Sequence, residues 1–181
     1  SISVVAEKIT KTKFPKWNRS VPHSPKNLRE LRVLRGEKDF IYFPSCISRQ
    51  LGEPTHHLPL STVFLTIAKR ANLFLHIPDH AEGHCCGMPF SSKGYKSAYQ
   101  AALHKTLMQM WDWSEHGKYP IVIDTTSCTH TLKTCADDLT PEDKEIWDQL
   151  TILDGVEFLH DHVLPKLEIH PVDEEVILHP N

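Results

Sequence analysis

Phe40-Ile41-Tyr42-Phe43-Pro44-Ser45-Cys46 is an apolar run of strand length, stopped by a proline and followed at once by a thiol. A short apolar run bounded by a breaker reads as a buried strand. The pattern recurs: Leu73-Phe74-Leu75 is stopped by Pro78, and Ile121-Val122-Ile123 follows Pro120. Helical periodicity fills the spaces between. Val63, Phe64, Ile67 and Ala68 share one face over residues 60–71, and Asn72 ends that segment. Residues 95–115 are rich in Ala, Leu, Met and Gln, and Gly117 and Pro120 close them. A helix starts near Cys128 and runs toward Cys135, residues 138–141 are a break, and residues 142–150 and 156–164 read as helices. Val176-Ile177-Leu178 reads as the fourth strand. Strands alternating with helices predict an α/β fold: a three-layer, Rossmann-like parallel sheet of about four strands with flanking helices.

The segment before this core reads differently. Val4, Val5 and Ile9 line one side of a helix over residues 1–13. Pro15, Pro22 and Pro25 make residues 14–25 an extended linker. Residues 28–35 are basic and form a short helix or a solvated connector. The chain therefore divides into residues 1–36, a helix and linker, and residues 37–181, the α/β domain.

At 181 residues and 40% hydrophobic, the chain has enough apolar surface for one real core. With 20 Lys+Arg against 23 Asp+Glu it has no basic excess, so nucleic acid is not an expected partner. No apolar run has membrane-spanning length. No secretory signal is read at the start, and an odd set of 5 cysteines does not make a disulfide scaffold. These features predict a reducing compartment and a cytoplasmic location, or a peripheral one on the inner face of a membrane. The 13 histidines are scattered, and His56-His57 lacks ligand spacing nearby, so they read as surface and packing residues.

The thiols carry the chemistry. Cys85 and Cys86 are adjacent and followed by Gly87. Neighbouring Cα atoms lie only ~3.8 Å apart, whereas a relaxed disulfide spans about 4.4–6.8 Å, so the pair is suited to a metal or redox role. In a parallel sheet every strand end points the same way. Cys46, Cys85, Cys86 and Cys128 all follow strands, which places them at the carboxyl ends where open α/β sheets bind ligands. Thiolates are soft ligands for iron–sulfur clusters, zinc and copper(I). Cys86 and Cys128 precede helices, which favours the thiolate. Gly87 allows close backbone approach to a bulky group. Ser45, Ser91, Ser127 and Thr129 could donate hydrogen bonds to cluster sulfurs, or simply cap helices. Cys135 reads as a buried small hydrophobe on a helix face.

Three segments resemble a known family. Tyr42-Phe43-Pro44-Ser45-Cys46-Ile47-Ser48-Arg49, Cys85-Cys86-Gly87-Met88-Pro89-Phe90-Ser91-Ser92-Lys93-Gly94 and Asp124-Thr125-Thr126-Ser127-Cys128-Thr129 are similar to the cysteine-rich CCG domain. That domain occurs in heterodisulfide reductases, the iron–sulfur subunit of glycolate oxidase, and FAD-linked, iron–sulfur D-lactate dehydrogenases. The wording around the cysteines is nearest the last group. The resemblance spans roughly residues 39–181 and is specific only in the three motifs. It implies one CCG repeat in which Cys46, Cys85, Cys86 and Cys128 ligate a 4Fe–4S cluster. Ser45, Gly87, Ser127 and Thr129 would then lie around it.

The implied function is an electron-transfer module of a FAD-linked 2-hydroxy-acid dehydrogenase. FAD-binding and ferredoxin-like domains are its expected partners, and a quinone or cytochrome its electron acceptor. The module alone would not oxidise lactate. Two departures from the family pattern matter: Thr131 stands where a fifth cysteine often occurs, and a second repeat is missing, its opening strand and turn resembled by residues 177–181. Alternatives are a structural zinc site in an interaction domain, a heterodisulfide-type thiol redox module, or a metal-free domain with thiols in a mobile loop over residues 79–94.

Overall fold

The computed structural model describes residues 38–51, 58–170, 173–175 and 177. The expected N-terminal helix and linker, His56-His57 and most of the strand expected at 176–178 lie outside the described residues.

Four parallel strands form one sheet: β1 (Phe40–Phe43), β2 (Leu75–His76), β3 (Ile121–Ile123) and β4 (Ile152–Asp154), in the order β2-β1-β3-β4. The register sets Tyr42 beside Val122 and Ile123 beside Asp154. Strand side chains alternate between faces, and the two cores follow that alternation. Ile41, Phe43, Ile121 and Ile123 face one core, whereas Phe40, Tyr42 and Val122 face the other.

Helices cover both faces, as expected of an α/β fold. After β1 come α1 (Cys46–Gln50) and α2 (Leu60–Arg70). α2 packs Phe64 and Ala68 on the Tyr42 face. After β2, a 3-10 turn (Ala81–Gly83) leads to α3 (Met88–Ser91) and the long α4 (Lys96–Trp113). α4 buries Tyr99, Leu103, Thr106, Leu107, Met110 and Trp113, a single stripe at helical spacing. It covers the Phe43 face together with Leu132 of α5 (Thr126–Lys133). α6 (Pro141–Trp147) adds Trp147 to the same side. After β4 the chain returns to the Tyr42 face as α7 (Gly155–Phe158), continued by a π turn (Leu159–Val163) and a 3-10 turn (Leu164–Lys166). Among the described residues no helix is long and apolar enough to cross a membrane.

Two strands differ from expectation. The second strand is shifted to Leu75–His76, because Asn72 turns the chain at φ 55 and the Phe74 N–H donates to Asp39 Oδ2 at 2.8 Å. Those interactions anchor residues 73–74 to the start of β1 and delay the ladder. The fourth strand is Ile152–Asp154, a segment that carries no strand signal in the sequence. It is only 3 residues long, and its last residue caps the next helix by accepting from the Val156 N–H at 2.9 Å. So short a run between two helices leaves no alternating pattern to read.

The direction of the crossovers positions the site. From β1 to β2 the chain moves one way across the sheet with α2 on the Tyr42 face. From β2 to β3 and β4 it moves the other way with α4, α5 and α6 on the opposite face. Right-handed crossovers require this change of face. Between β1 and β3 the connections diverge, so their carboxyl ends form the topological switch point, where open α/β sheets bind ligands.

Candidate functional site: four thiols at the switch point

Cys46 and Cys128 lie on either side of that switch point. Cys46 is the first residue of α1, immediately after β1, and Cys128 lies in the first turn of α5, immediately after β3. Cys85 and Cys86 reach the same place from the loop after β2. Cys46 and Cys85 are half-buried, while Cys86 and Cys128 are buried.

The four sulfurs interact in series. Cys46 is coupled to Cys85, Cys85 to Cys86, and Cys86 to Cys128. The last member therefore ionises most easily. The hydrogen bond from Cys86 holds Cys128 below the usual thiol range, against the opposing effect of burial. Donation to Cys128, then burial, pushes Cys86 up to about 11. Cys85 is raised by its donation to Cys86 and then by burial, and Cys46 is raised chiefly by burial. Cys135 belongs to a different environment. Its thiol donates to the Leu132 carbonyl at 3.3 Å, and burial pushes it up to about 11.

The loop carrying the cysteine pair is held from two sides. Thr106 of α4 donates through Oγ1 to the Cys85 carbonyl at 2.8 Å and accepts from the Cys85 N–H at 3.3 Å. From α1, the Arg49 guanidinium donates to the Ala81 and His84 carbonyls, each at 2.6 Å. Gly87 sits at φ +82, and a Cβ there would lie 2.7 Å from Tyr99 Cδ2, so glycine is required. The close approach expected at Gly87 is made by the Tyr99 ring.

A polar cluster ties the other two thiol-bearing segments together. Asp124, just past β3, accepts at Oδ2 from the Tyr42 hydroxyl at 2.7 Å and at Oδ1 from the Ser45 N–H at 2.9 Å. Thr125 Oγ1 donates to Ser45 Oγ at 2.8 Å. Burial and the Asp124 carboxylate push the Tyr42 phenol up, so it remains a donor.

The hydroxyls expected to serve sulfur serve the backbone or each other. Ser45 caps α1, accepting from the Ser48 N–H at 3.2 Å, and Thr129 donates to the Thr125 carbonyl at 3.2 Å. Ser127 and Ser91 are exposed. The donors to sulfur are main-chain amides instead: Gly87 N–H to Cys85 Sγ at 3.5 Å, Ile47 to Cys46 and Met88 to Cys86. Sequence reasoning missed these amides, along with Arg49, Thr106 and Asp124. Asp124 does carry a signal, since it is the polar residue that ends a wholly apolar strand.

Among the described residues, no group of three or more His, Cys, Asp or Glu side chains is spaced to hold a metal ion. Ligation needs deprotonated thiolates turned to a common centre. In number and softness the four sulfurs fit a cluster or zinc. Loading would require loss of their protons.

The chain matches no family model, no curated protein and no solved structure.

Proposed function

We propose that Cys46, Cys85, Cys86 and Cys128 hold a 4Fe–4S cluster and that the domain relays electrons within a FAD-linked 2-hydroxy-acid dehydrogenase, D-lactate being the substrate class. The observation that carries this reading is the convergence of four thiols, from three separate strand ends, into one coupled series at the switch point. The three motifs resembling the CCG domain add the choice of cluster and of enzyme class. Once bound, a 4Fe–4S cluster accepts and gives up single electrons. The chain's own residues prepare its seat. Amides of Ile47, Gly87 and Met88 already point at the sulfurs and would lower the cost of negative charge there. Asp124, Tyr42 and Thr106 fix the backbone from which the sulfurs project. A flavin-bearing domain would deliver the electrons, and a quinone or cytochrome would take them.

One observation favours a second reading, thiol redox chemistry. Cys46 and Cys85 are neighbours that shift one another's ionisation, and both are half-buried. Such a pair can become a disulfide by giving two electrons and two protons to a substrate disulfide, which leaves as two thiols.

Anaerobic reconstitution with iron and sulfide, with metal analysis and EPR before and after reduction, decides between them. The proposal expects bound iron and sulfide, a reducible signal, and loss of both in Cys85→Ser and Cys86→Ser. Bound zinc without a redox signal would make the site structural. A chain that takes no metal but cycles between dithiol and disulfide would establish the second reading.

A further inference from the structure

Arg49 is a buried charge beside the thiols, and no motif in the sequence assigns it a role. It is only 8% exposed, and its guanidinium hydrogen-bonds main-chain carbonyls on both sides of the site. Nε donates to Pro44 O at 2.9 Å and Ser45 O at 3.3 Å. Nη1 donates to Ala81 O and Nη2 to His84 O, each at 2.6 Å. The guanidinium carbon sits 5.5 Å from the Phe43 ring centroid. The first two carbonyls immediately precede Cys46, and the last immediately precedes Cys85. One side chain thus spans the two loops that supply three of the four thiols.

We propose that Arg49 is the positioning residue of the thiol site, a clamp that holds the Cys85-Cys86 loop against the Cys46 turn before any metal arrives. Charge-assisted bonds of this kind are short and strong. The planar fork gives each bond a fixed direction. A lysine offers three donors on one nitrogen and does not reach carbonyls on both loops. Removing the fork leaves the Ala81 and His84 carbonyls without those donors, so the loop can peel from α1. The guanidinium also places positive charge beside Cys46.

The clamp is tested on the metal-free chain by alkylating each cysteine under native conditions and reading rates by mass spectrometry. Cys135, away from the clamp, is the internal reference. In Arg49→Met, alkylation of Cys85 and Cys86 should accelerate at least tenfold while Cys135 keeps its native rate. Arg49→Lys, which keeps the charge, should behave like Arg49→Met. Native rates at Cys85 and Cys86 in Arg49→Met, full rescue by Arg49→Lys, or equal acceleration at Cys135 would each overturn the proposal. Should the variants not fold, side-chain exchange in the native chain decides it: the Arg49 Nε–H and Nη–H protons must be protected, and free exchange there would refute a clamp.

As a device for loading metal, the clamp rests on the soft-ligand reading above. Cobalt(II) titration separates the two. The native chain should show a thiolate-to-cobalt band, with affinity at least tenfold weaker in Arg49→Met. Absence of the band in the native chain would sink the soft-ligand reading, while alkylation would still judge the clamp. Equal cobalt affinity in the two chains would sink the clamp as a loading device.

Discussion

Cys128 and Cys135 flank the same stretch of α5, and both are buried in the core on the Phe43 side of the sheet. Their chemistry is opposite. Cys128 accepts from a neighbouring thiol and is held below the usual thiol range. Cys135 donates a hydrogen bond to a carbonyl and is pushed up to about 11 by burial. Equal burial therefore does not make equal cysteines. What separates them is the partner each meets, and that is set by position: Cys128 opens the helix at the carboxyl end of β3, whereas Cys135 lies beyond the helix's far end.

The largest test of this contrast is Gly87→Ala. Gly87 turns the chain so that Cys86 reaches Cys128. An alanine there meets a left-handed backbone, worth about 1–2 kcal/mol. It also overlaps the Tyr99 ring, and overpacking costs about 1–3 kcal/mol. Denaturant unfolding should show a loss of about 2–5 kcal/mol, and the pH at which Cys128 is alkylated should rise while that of Cys135 does not. A variant as stable as the native chain would mean that this turn does not enforce the Cys86–Cys128 contact.

Tyr42→Phe comes next. It removes the hydroxyl that donates to Asp124 beside the Cys46 turn. Hydrogen bonds to charged groups contribute about 1.5–3 kcal/mol, and the remaining partners of Asp124 soften the loss, so a drop of about 1–2 kcal/mol is expected from denaturant midpoints. No change would detach the polar cluster from the assembly of the site.

A further test is Cys135 in alkali. Its ordinary thiol value of 9.0 is raised to about 11 in the folded chain. A raised folded value means that the native state holds its proton longer than the unfolded one. The associated stability is fully present below pH 9.0 and lost as pH rises through about 11. Cys135→Ala should lose less stability across that window than the native chain, measured by unfolding at each pH. An identical slope would show that Cys135 is not the buried neutral thiol described here.

The strands and the long helix were legible because their signals are strong and local. Ile121-Val122-Ile123 is wholly apolar beside a proline, and the stripe from Tyr99 to Trp113 repeats for several turns. Ile152–Asp154 was not legible, since its last residue is also the cap of the next helix. For the site, a parallel sheet with a thiol after each of three strands was enough to place Cys46, Cys85, Cys86 and Cys128 at one end. Their supports were hidden because they are long-range or main-chain. Arg49 acts on carbonyls more than thirty positions away (|i−j| = 32 and 35), and the amides that serve the sulfurs leave no mark on residue type.

The central claim is that four cysteines make one site and the fifth is only core. Iron and acid-labile sulfide per chain, measured after anaerobic reconstitution of Cys128→Ala and Cys135→Ala beside the native protein, tests it most directly. The account predicts that Cys135→Ala loads as the native chain does and that Cys128→Ala fails to load. Equal loading of the two variants, or failure confined to Cys135→Ala, would contradict it.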